Sequence, residues 1–400
     1  MEPANLPAGA LNNFYFQNNT HIDWSLMIVL YPYITGLVAG AFVVSALYHV
    51  FKVKEFEPIA RFALVASFCF GLFAAVPLLF HLGQPLRAMN IFITPHTTSA
   101  MSIFGYVYSS YMILVMVELW LVYRGFFIHQ AKTTKGFQQF IWKALTLWVT
   151  ETSPGALKLD HALISFLAGI GIPWAFTLHG YVGFIFGSVK ANAWWATPLQ
   201  PIIFLMSAIV SGIAMLILMY TFIRWRTKRP INYPMLKLLG DYLWGLFIID
   251  VTFETMEVVY MFYEHGHHWA VVAPLLTGPL FPSYVIGQML LFSGIPLIAL
   301  GYVALSQVSG RRLLRMVNLA ALCVVLQVLF MRFNVVIGGQ MISKSDRGYV
   351  DFHFQWFARE GLIMAAIILC APFVTYYVIS RWLPVFNDDP GHPASHHAHH

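Results

Sequence analysis

Met-Arg-Phe-Asn-Val-Val-Ile-Gly-Gly-Gln, residues 331–340, ends a hydrophobic stretch that begins near Val317. An earlier stretch ends in a similar way, with Thr-Leu-His-Gly-Tyr-Val-Gly-Phe-Ile-Phe-Gly-Ser at residues 177–188. In each case an ionisable residue, Arg332 or His179, lies inside an apolar segment shortly before a glycine-rich exit. A charge at membrane depth costs on the order of 3 kcal/mol on insertion scales, so it seldom persists without a role. The two copies predict a duplicated helical bundle with a polar interior.

Composition indicates a membrane protein with many spans. The 400 residues are 59% hydrophobic and 10% charged, and the mean hydropathy is +0.69, whereas soluble proteins carry roughly 25% charged residues. About 20 helical residues cross roughly 30 Å of hydrocarbon. The polar N-terminus lacks a basic segment followed by an apolar core, so we expect no cleavable signal peptide. Nine stretches are long and apolar enough to span: residues 24–51, 59–82, 99–127, 160–188, 199–223, 238–263, 282–306, 315–339 and 360–383.

The basic residues predict the orientation of these spans. With nine spans and an outside N-terminus, 17 of the 23 Lys and Arg residues fall in inside segments, five fall outside, and Arg332 lies within a span. This bias toward the inside is the pattern that orients membrane helices. We therefore expect a multi-pass protein of the bacterial cytoplasmic membrane with a periplasmic N-terminus and a cytoplasmic C-terminus. The net charge of +6 then reflects topology and predicts no nucleic-acid binding.

The fold class predicted is an all-α polytopic membrane protein with two parallel four-helix-bundle repeats and an appended C-terminal helix. Spans one and five both carry small residues at spacings that allow helices to approach closely. Because each unit has an even number of spans, the repeats would run parallel, related by an axis along the membrane normal. The predicted segments are an outside arm (1–23), a first bundle (24–188) with an inside connection (129–158), a second bundle (199–339), an outside loop (340–359), a ninth helix (360–383) and an inside His-rich tail (384–400).

The outer half of the sixth span carries the carboxylates Asp250, Glu254 and Glu257. At 100° per residue they lie within about 60° of one another, on one stripe of the helix. Three carboxylates at membrane depth cannot all be ionised without partners, and Arg332 is the expected counter-charge. Such a stripe suits a proton relay or ion binding; the alternative is a packing stripe satisfied by Arg332 and nearby hydroxyl groups. Two amide side chains are expected to complete this polar interior: Gln288 and Asn334.

The first unit offers its own series of ionisable residues at graded depths. Glu118 lies in span three and His179 in span four, while His49 and His161 are nearer the inside face. Together they predict a proton path through the first bundle. The alternative is that each histidine is a satisfied core residue, as a lone histidine on an apolar face usually is.

The outside end of span two carries the candidate catalytic residues. Glycine and proline end the helix within residues 81–90, leaving His81 just inside the membrane and Arg87 near the interface. Tyr31 and Tyr33 lie about a third of the way into span one from the same face. Aromatic rings and hydrogen-bond donors at one depth are suited to binding a quinone, and histidine can exchange the proton that quinone chemistry requires. The alternative is an ordinary helix end in an aromatic belt.

The three cysteines, Cys69, Cys323 and Cys370, lie far apart within apolar spans. Without a CxxC, CxxCH or four-cysteine pattern, we expect no iron–sulfur cluster and no covalently attached haem in this chain. We also predict no metal site.

Three motifs carry a family resemblance. They are LGQPLR at residues 82–87, HGYVGFIFGS with NAWWATPLQPIIFLMSAIVSG at 179–212, and RFNVVIGGQMISKS at 332–345. In this order they resemble the NrfD/PsrC family, the membrane subunits of polysulfide reductase-like complexes, over residues 24–345. The length, the long C-terminal part and the Gly-Gly-Gln sequence favour the QrcD-like branch of quinone reductase complexes.

The resemblance implies a quinone, with menaquinone favoured, bound near the outside face. It also implies electron exchange with a periplasmic iron–sulfur subunit docked to a molybdopterin-family subunit or a multihaem cytochrome c. By position, Tyr31 falls where relatives place a quinone-contacting histidine, and many relatives have an aspartate in place of His81, so we expect a different hydrogen-bond pattern. Inner carboxylates that conduct protons from the cytoplasm in the family match Glu118, Asp250 and Glu254.

The leading interpretation is therefore a quinone-binding membrane subunit of a respiratory oxidoreductase complex, which also conducts protons from the cytoplasm. Three alternatives stay open. A secondary proton or ion transporter fits the repeat and the buried carboxylates, although it predicts helices broken at the midplane. A dihaem cytochrome b-type anchor needs paired axial histidines, for which His81 and His179 are the candidates. A purely structural anchor would use the polar residues only for assembly.

Overall fold

The computed structural model describes residues 22–386. Most of the predicted N-terminal arm and of the His-rich tail, residues 1–21 and 387–400, lies outside the described residues. The described part is helical, and it also contains an isolated antiparallel bridge between Ile342 and Tyr349. The helices are α1 (Leu26–His49), α2 (Glu57–Ala74), α3 (Val76–His81), α4 (Asn90–Ile93), α5 (Ala100–Thr133), α6 (Phe137–Leu145), α7 (Pro154–Gly187), α8 (Gln200–Arg226), α9 (Tyr233–Glu264), α10 (His267–Thr277), a π-helix (Phe281–Leu291), α11 (Phe292–Leu305), α12 (Gly310–Met341) and α13 (Leu362–Trp382).

Eight helical segments within the described residues are long and apolar enough to cross a membrane. The sixth predicted span, α9, is 32 residues long but carries several carboxylates and is not among these eight. The prediction of an all-α polytopic membrane protein is confirmed, while the count of nine spans stays a prediction. By the predicted orientation, we call the end at which α1 begins and α12 ends the outer end, and the opposite end the inner end.

Several helix boundaries differ from the sequence prediction because capping residues decide them. Helix α7 begins at Pro154, six residues earlier than predicted, since the Ser153 hydroxyl accepts from the Ala156 N–H at 3.3 Å. Helix α9 begins early for the same reason, with the Asn232 side chain accepting from the Met235 N–H at 3.1 Å. The predicted inside connection accordingly shortens to residues 134–153, and it contains the short helix α6.

The long helices pack in two groups. Helices α1, α2, α5 and α7 contact one another around the first group, and α8, α9, α11 and α12 do so around the second. Helix α1 also packs against α8 and α12, and α13 lies against α2. The division into two repeats stays a prediction, but the contacts place α1, α8 and α12 where the two groups meet.

Two glycines allow α1 and α8 to cross at backbone contact. A Cβ atom on Gly40 would lie 2.7 Å from the Cα of Gly212, and a Cβ atom on Gly212 would lie 2.6 Å from the Gly40 carbonyl carbon. Both distances are far below van der Waals contact. Small residues permit such an approach between membrane helices, where dispersion contacts and not the hydrophobic effect hold helices together.

We expect Gly212→Ala to destabilise the fold by about 1–3 kcal/mol, because the added methyl group would force the two backbones apart. The measurement is the fraction of monodisperse protein left after heating the detergent-solubilised protein. Gly245→Ala is the matched control, since nothing lies within 4 Å of its Cβ position on the exposed face of α9. That change should be neutral or slightly stabilising. Equal heat sensitivity of both variants would contradict the close-contact argument.

Candidate functional site

The most buried ionisable cluster lies at the junction of α7, α8 and α12. Arg332 is fully buried, and its Nη2 donates to the Ser207 hydroxyl at 2.7 Å, to His179 Nε2 at 3.0 Å and to the Phe204 carbonyl at 3.2 Å. Its guanidinium also lies 3.8 Å from the centre of the Phe204 ring. Because a guanidinium can only donate, His179 Nε2 must accept, so the neutral imidazole carries its proton on Nδ1. At 1.5 Å per residue, Arg332 lies about 13 Å from the outer end of α12.

The three predicted carboxylates on the stripe of α9, Asp250, Glu254 and Glu257, are all buried. Arg332 was the expected counter-charge, and it is close enough for an electrostatic interaction with Asp250 and Glu254. Within the described residues, however, it forms no hydrogen bond to either: Nη2 donates to α7 and α8, Nη1 donates to the Met331 sulfur at 3.4 Å, and Nε has no partner. Glu254 instead accepts from two amide side chains, Gln288 Nε2 at 2.9 Å and Gln327 Nε2 at 2.9 Å and 3.1 Å.

The other buried carboxyl groups of the interior differ from Glu254, and Oε1 of Glu257 has no hydrogen-bond partner among the described residues. Neither oxygen of Asp250 has a hydrogen-bond partner among the described residues, and the same holds for Glu118 in α5. Burying an ionised carboxylate without donors is costly. These two side chains are therefore suited to carrying a proton and not to holding a permanent charge.

Two of the predicted proton-path histidines lie at the inner end of the first group. His49 ends α1, and its Nε2 is buried without a hydrogen-bond partner in the described residues. His161, in the second turn of α7, is near enough to interact electrostatically with it. The Lys52 ammonium donates to the His49 carbonyl at 2.6 Å and to the Ser165 hydroxyl at 3.0 Å, which ties this end of α1 to α7.

At the outer end, His81 forms the pair that the sequence did not predict. Its Nδ1 lies 2.7 Å from Glu360 Oε2, and the Ser25 hydroxyl donates to the same carboxylate at 2.5 Å. Glu360 therefore joins the start of α1, the end of α3 and the start of α13. The neighbouring Arg359 donates to the Leu79 and Leu82 carbonyls at 3.3 Å and 3.2 Å, which satisfies acceptors at the end of α3.

A groove of about 490 Å³ opens beside this pair. Its walls come from residues 22–26 at the start of α1 and from the loop that precedes α13, and they combine apolar with polar side chains. The ring systems of Trp24 and Phe352 lie among them, together with Ser25 and Glu360. The loop is held in place by Tyr349, whose hydroxyl donates to the Val271 carbonyl at 2.7 Å. Burial raises the pKa of Tyr349 to about 12, so this donor keeps its proton at neutral pH.

None of the four residues predicted to contact the quinone lines the groove, and His81 adjoins it only through Glu360, which does. Tyr31 is buried with its ring edge against Phe104, 5.8 Å between centroids. Tyr33 is also buried and donates to the Val325 carbonyl of α12 at 3.1 Å. Arg87 is exposed after α3. Of the four predicted quinone contacts, the structure places His81 beside the groove and the two tyrosines deeper, toward Arg332.

Sequence reasoning missed the partners that complete both clusters. Glu360 had a signal, a carboxylate at the start of an apolar span. Ser207 lies in the quoted small-residue motif of span five, and Gln327 is an amide in the middle of an apolar helix. Their roles depend on which helices are neighbours in the fold, and the spacing of residues in the sequence does not show this.

The outer motifs that carry the family resemblance hold the helix ends together. The Asn192 side-chain amide donates to the Gly339 carbonyl at 2.8 Å, and Trp195 Nε1 donates to the Val335 carbonyl at 2.6 Å. Trp195 also stacks on Trp24, with 5.2 Å between ring centroids. The indole occupies the space where any side chain at residue 339 would lie, so the second glycine of the Gly-Gly pair is required.

The two histidines considered as axial haem ligands each have one ring nitrogen in a hydrogen bond. His81 pairs with Glu360, and His179 accepts from Arg332. Among residues 22–386, no group of three or more His, Cys, Asp or Glu side chains could hold a metal ion.

The long apolar helices and their buried ionisable clusters define an integral membrane protein with a polar interior. A family model described as polysulphide reductase, NrfD, matches residues 15–344. The chain belongs to this family, which confirms the resemblance carried by its motifs; the QrcD-like branch stays a prediction.

Named relatives cover most of the chain. The C subunit of selenate reductase from Mesobacillus selenatarsenatis is 31% identical over 92% of this chain and 87% of its own length. The Hdr-like menaquinol oxidoreductase integral membrane subunit of Archaeoglobus fulgidus is 24% identical, over 88% of this chain and 83% of its own. The C polypeptide of polysulfide reductase from Wolinella succinogenes is 25% identical, over 81% and 96%. The relatives are thus named as components of reductases and oxidoreductases.

Proposed function

We propose that this chain is the quinone-reactive subunit of a respiratory oxidoreductase complex in the bacterial cytoplasmic membrane. It exchanges electrons between a quinone at the outer end and a periplasmic iron–sulfur subunit. The observation that carries the proposal is the His81–Glu360 pair beside a groove of mixed aromatic and polar lining. Menaquinone is the favoured substrate, because one relative is named as a menaquinol oxidoreductase subunit.

The His81–Glu360 pair has the chemistry that a quinone site requires. Oxidising a quinol to a quinone releases two electrons and two protons, and reduction takes up the same number. With Nδ1–H donating to Glu360, His81 keeps Nε2 for a quinol hydroxyl, from which it can accept a proton. The carboxylate stabilises the imidazolium that results, and in the reverse direction the imidazolium returns the proton to the substrate oxygen.

The remaining residues predicted at this end have supporting roles in the proposal. Tyr31 and Tyr33 are buried in α1 and interact electrostatically with Arg332, so in the proposal they separate the outer site from the Arg332 cluster. Arg87, exposed at the interface, attracts the polar head of the substrate or an acidic group of a partner. The electrons leave or arrive through a periplasmic iron–sulfur subunit, and a molybdopterin-family subunit or a multihaem cytochrome c lies beyond it.

Protons reach the outer site from the inner end in this proposal. His49 and His161 collect them, Glu118 carries them through the first group, and His179 with Arg332 lies between the two groups. Asp250, Glu254 and Glu257 extend the polar interior of the second group. Moving a proton across the membrane against 100 mV costs about 2.3 kcal/mol, so a quinone reduced in this way would make the step electrogenic.

The proposal is tested with the purified complex in proteoliposomes, recording quinone turnover and proton uptake from the compartment at the inner end. We expect Glu118→Gln to lower both by at least about tenfold, because an amide cannot carry the proton. Glu118→Asp should restore part of both rates, and Glu55→Gln, at an exposed inner-end carboxylate, should change neither.

Each other outcome has a definite meaning. A wild-type complex that turns over no quinone would contradict the proposed function. Quinone turnover without proton uptake from the inner compartment would contradict the proposed proton path but not the proposed quinone site. Proton or ion movement without quinone would favour the transporter alternative.

A further inference from the structure

The segment Phe281–Leu291 is a π-helix at the outer end of the seventh span. A π-helix has i→i+5 hydrogen bonds and about 4.4 residues per turn. Residues five apart are then separated by about 50° around the axis, compared with about 140° in an α-helix. Ser283 and Gln288 are five apart, so the π-helix turns both side chains toward the same neighbour. That neighbour is Asn334 of α12.

The three side chains and Glu254 form one chain of hydrogen bonds. The Ser283 hydroxyl donates to Asn334 Oδ1 at 2.6 Å, a shorter contact than its 3.3 Å approach to the Leu280 carbonyl. Asn334 Nδ2 donates to Gln288 Oε1 at 2.8 Å, and Gln288 Nε2 donates to Glu254 Oε2 at 2.9 Å. Since an amide that accepts on its oxygen presents its N–H to the next group, every donor in the chain points toward Glu254.

This series of hydrogen bonds affects whether the carboxyl group at its end, Glu254, is charged. Each bond polarises the next, so the last N–H is a stronger donor than an isolated amide. Gln327 Nε2 supplies another donor to the same carboxylate. Donors to a carboxylate favour its charged form. An α-helical register would turn Ser283 away and break the chain.

Asp250 lies one turn from Glu254 on the same helix and has no donor among the described residues. The other ionisable groups around Glu254 are Glu257 on α9, Arg332 on α12 and Tyr284 on the π-helix. Arg332 is the cation among these groups, and it favours one charged carboxylate. Repulsion between Asp250 and Glu254 disfavours a state in which both carboxylates are charged. The hydrogen-bond donors decide which of them is charged.

We propose that the π-helix holds Glu254 as the ionised partner of Arg332, and that Asp250 thereby stays protonated as the proton carrier of the second group. Ser283, Asn334 and Gln288 are positioning residues, since they act through Glu254. The inference rests on the proposed function only in giving Asp250 a use in proton transfer; the charge states themselves do not depend on it.

The test is infrared spectroscopy of the purified complex, with carbon-13 labels on the side-chain carboxyl groups of either glutamate or aspartate. In the wild type, we expect a protonated aspartate C=O band that Asp250→Asn removes. Asn334→Ala should create a new protonated glutamate band, because Glu254 loses its polarised donor. That band should be absent from the Asn334→Ala, Glu254→Gln double variant.

Ser283→Ala, a smaller change than Asn334→Ala, should produce a weaker form of the same band. Ser283→Thr keeps the hydroxyl group and should restore the wild-type spectrum. Ser211→Ala is the matched control, since this buried serine of α8 donates to the Ala208 carbonyl of its own helix at 3.1 Å. It should leave the spectrum unchanged.

No new glutamate band in Asn334→Ala, or an aspartate band that survives Asp250→Asn, would overturn the inference. Because the spectra report the carboxyl groups whether or not quinone is turned over, the two proposals fail separately. If the Ser283→Ala and Asn334→Ala variants both gave the same spectrum as the wild type and turned over quinone normally, the role of the π-helix would be overturned. The proposed function would stay in place.

Discussion

His81→Ala is expected to lower quinone turnover by about 10²- to 10⁴-fold, the usual contribution of a positioned acid–base group. The variant should still assemble, since the side chain is partly exposed and its hydrogen bond goes to Glu360 alone. Glu360→Gln should have a smaller effect, about tenfold, because the amide still orients the imidazole without stabilising its charged form. Turnover is measured with a soluble menaquinol analogue and the purified complex.

The protein provides a matched control for this experiment. His267 and Asp346 also form a histidine–carboxylate pair at the outer end, with Nε2 and Oδ2 2.9 Å apart, but away from the groove. His267→Ala should leave turnover unchanged. Full activity of His81→Ala, or an equal loss of activity in both variants, would show that the groove is not the site of quinone chemistry. The His81–Glu360 pair would then be a link between helix ends.

Arg332→Lys is expected to destabilise the protein by about 3 kcal/mol and to abolish proton-coupled turnover. The side chain is fully buried, and one nitrogen serves three acceptors on two helices while the guanidinium stacks on the Phe204 ring. A lysine keeps the charge but has a compact ammonium, which cannot both stack and reach the same acceptors. Hydrogen bonds to charged groups contribute about 1.5–3 kcal/mol each, so losing part of this set is enough for the expected change.

Arg312→Lys controls for the chemical change itself. Arg312 also lies over an aromatic ring, with its guanidinium carbon 5.2 Å from the centre of Tyr302, but it is exposed at the inner end of α12. Its replacement should change the thermal stability by less than about 0.5 kcal/mol. Thermal inactivation of the solubilised complex gives both values. A stable, active Arg332→Lys variant would show that the cluster tolerates any cation and that the guanidinium contacts with α7 and α8 are not required.

The start and the middle of α1 contact different clusters, the His81–Glu360 pair and the Arg332 cluster. Its start joins α3 and α13 through Glu360, next to the groove where the proposal puts electron transfer. Its middle lies against α8 at the Gly40–Gly212 crossing, and Arg332 and His179 lie nearby. A change at the groove is therefore connected to the buried cluster through a helix that is nearly all buried. We propose that coupling between quinone chemistry and proton movement passes along this helix.

Part of the candidate site was predictable from single residues. Arg332, His179 and the three carboxylates of α9 stood out because charges are rare at membrane depth, and all of them are buried in the structure. His81 stood out at a helix end. Their partners did not, since Glu360 lies 279 residues from His81 and Arg332 lies 153 residues from His179.

The sequence by itself determined where the long apolar helices lie and that the protein is in a membrane, because a polypeptide in lipid must satisfy its backbone hydrogen bonds within each apolar segment. It did not predict α10, which lies between two spans. It also determined the family, through motifs that hold the outer helix ends together. Only the tertiary structure decided which polar side chains meet. Helices that are apolar on nearly every side carry little information on which face turns inward. The rotation of each helix, and the π-helical turn that aligns Ser283 with Gln288, follow from packing against neighbours.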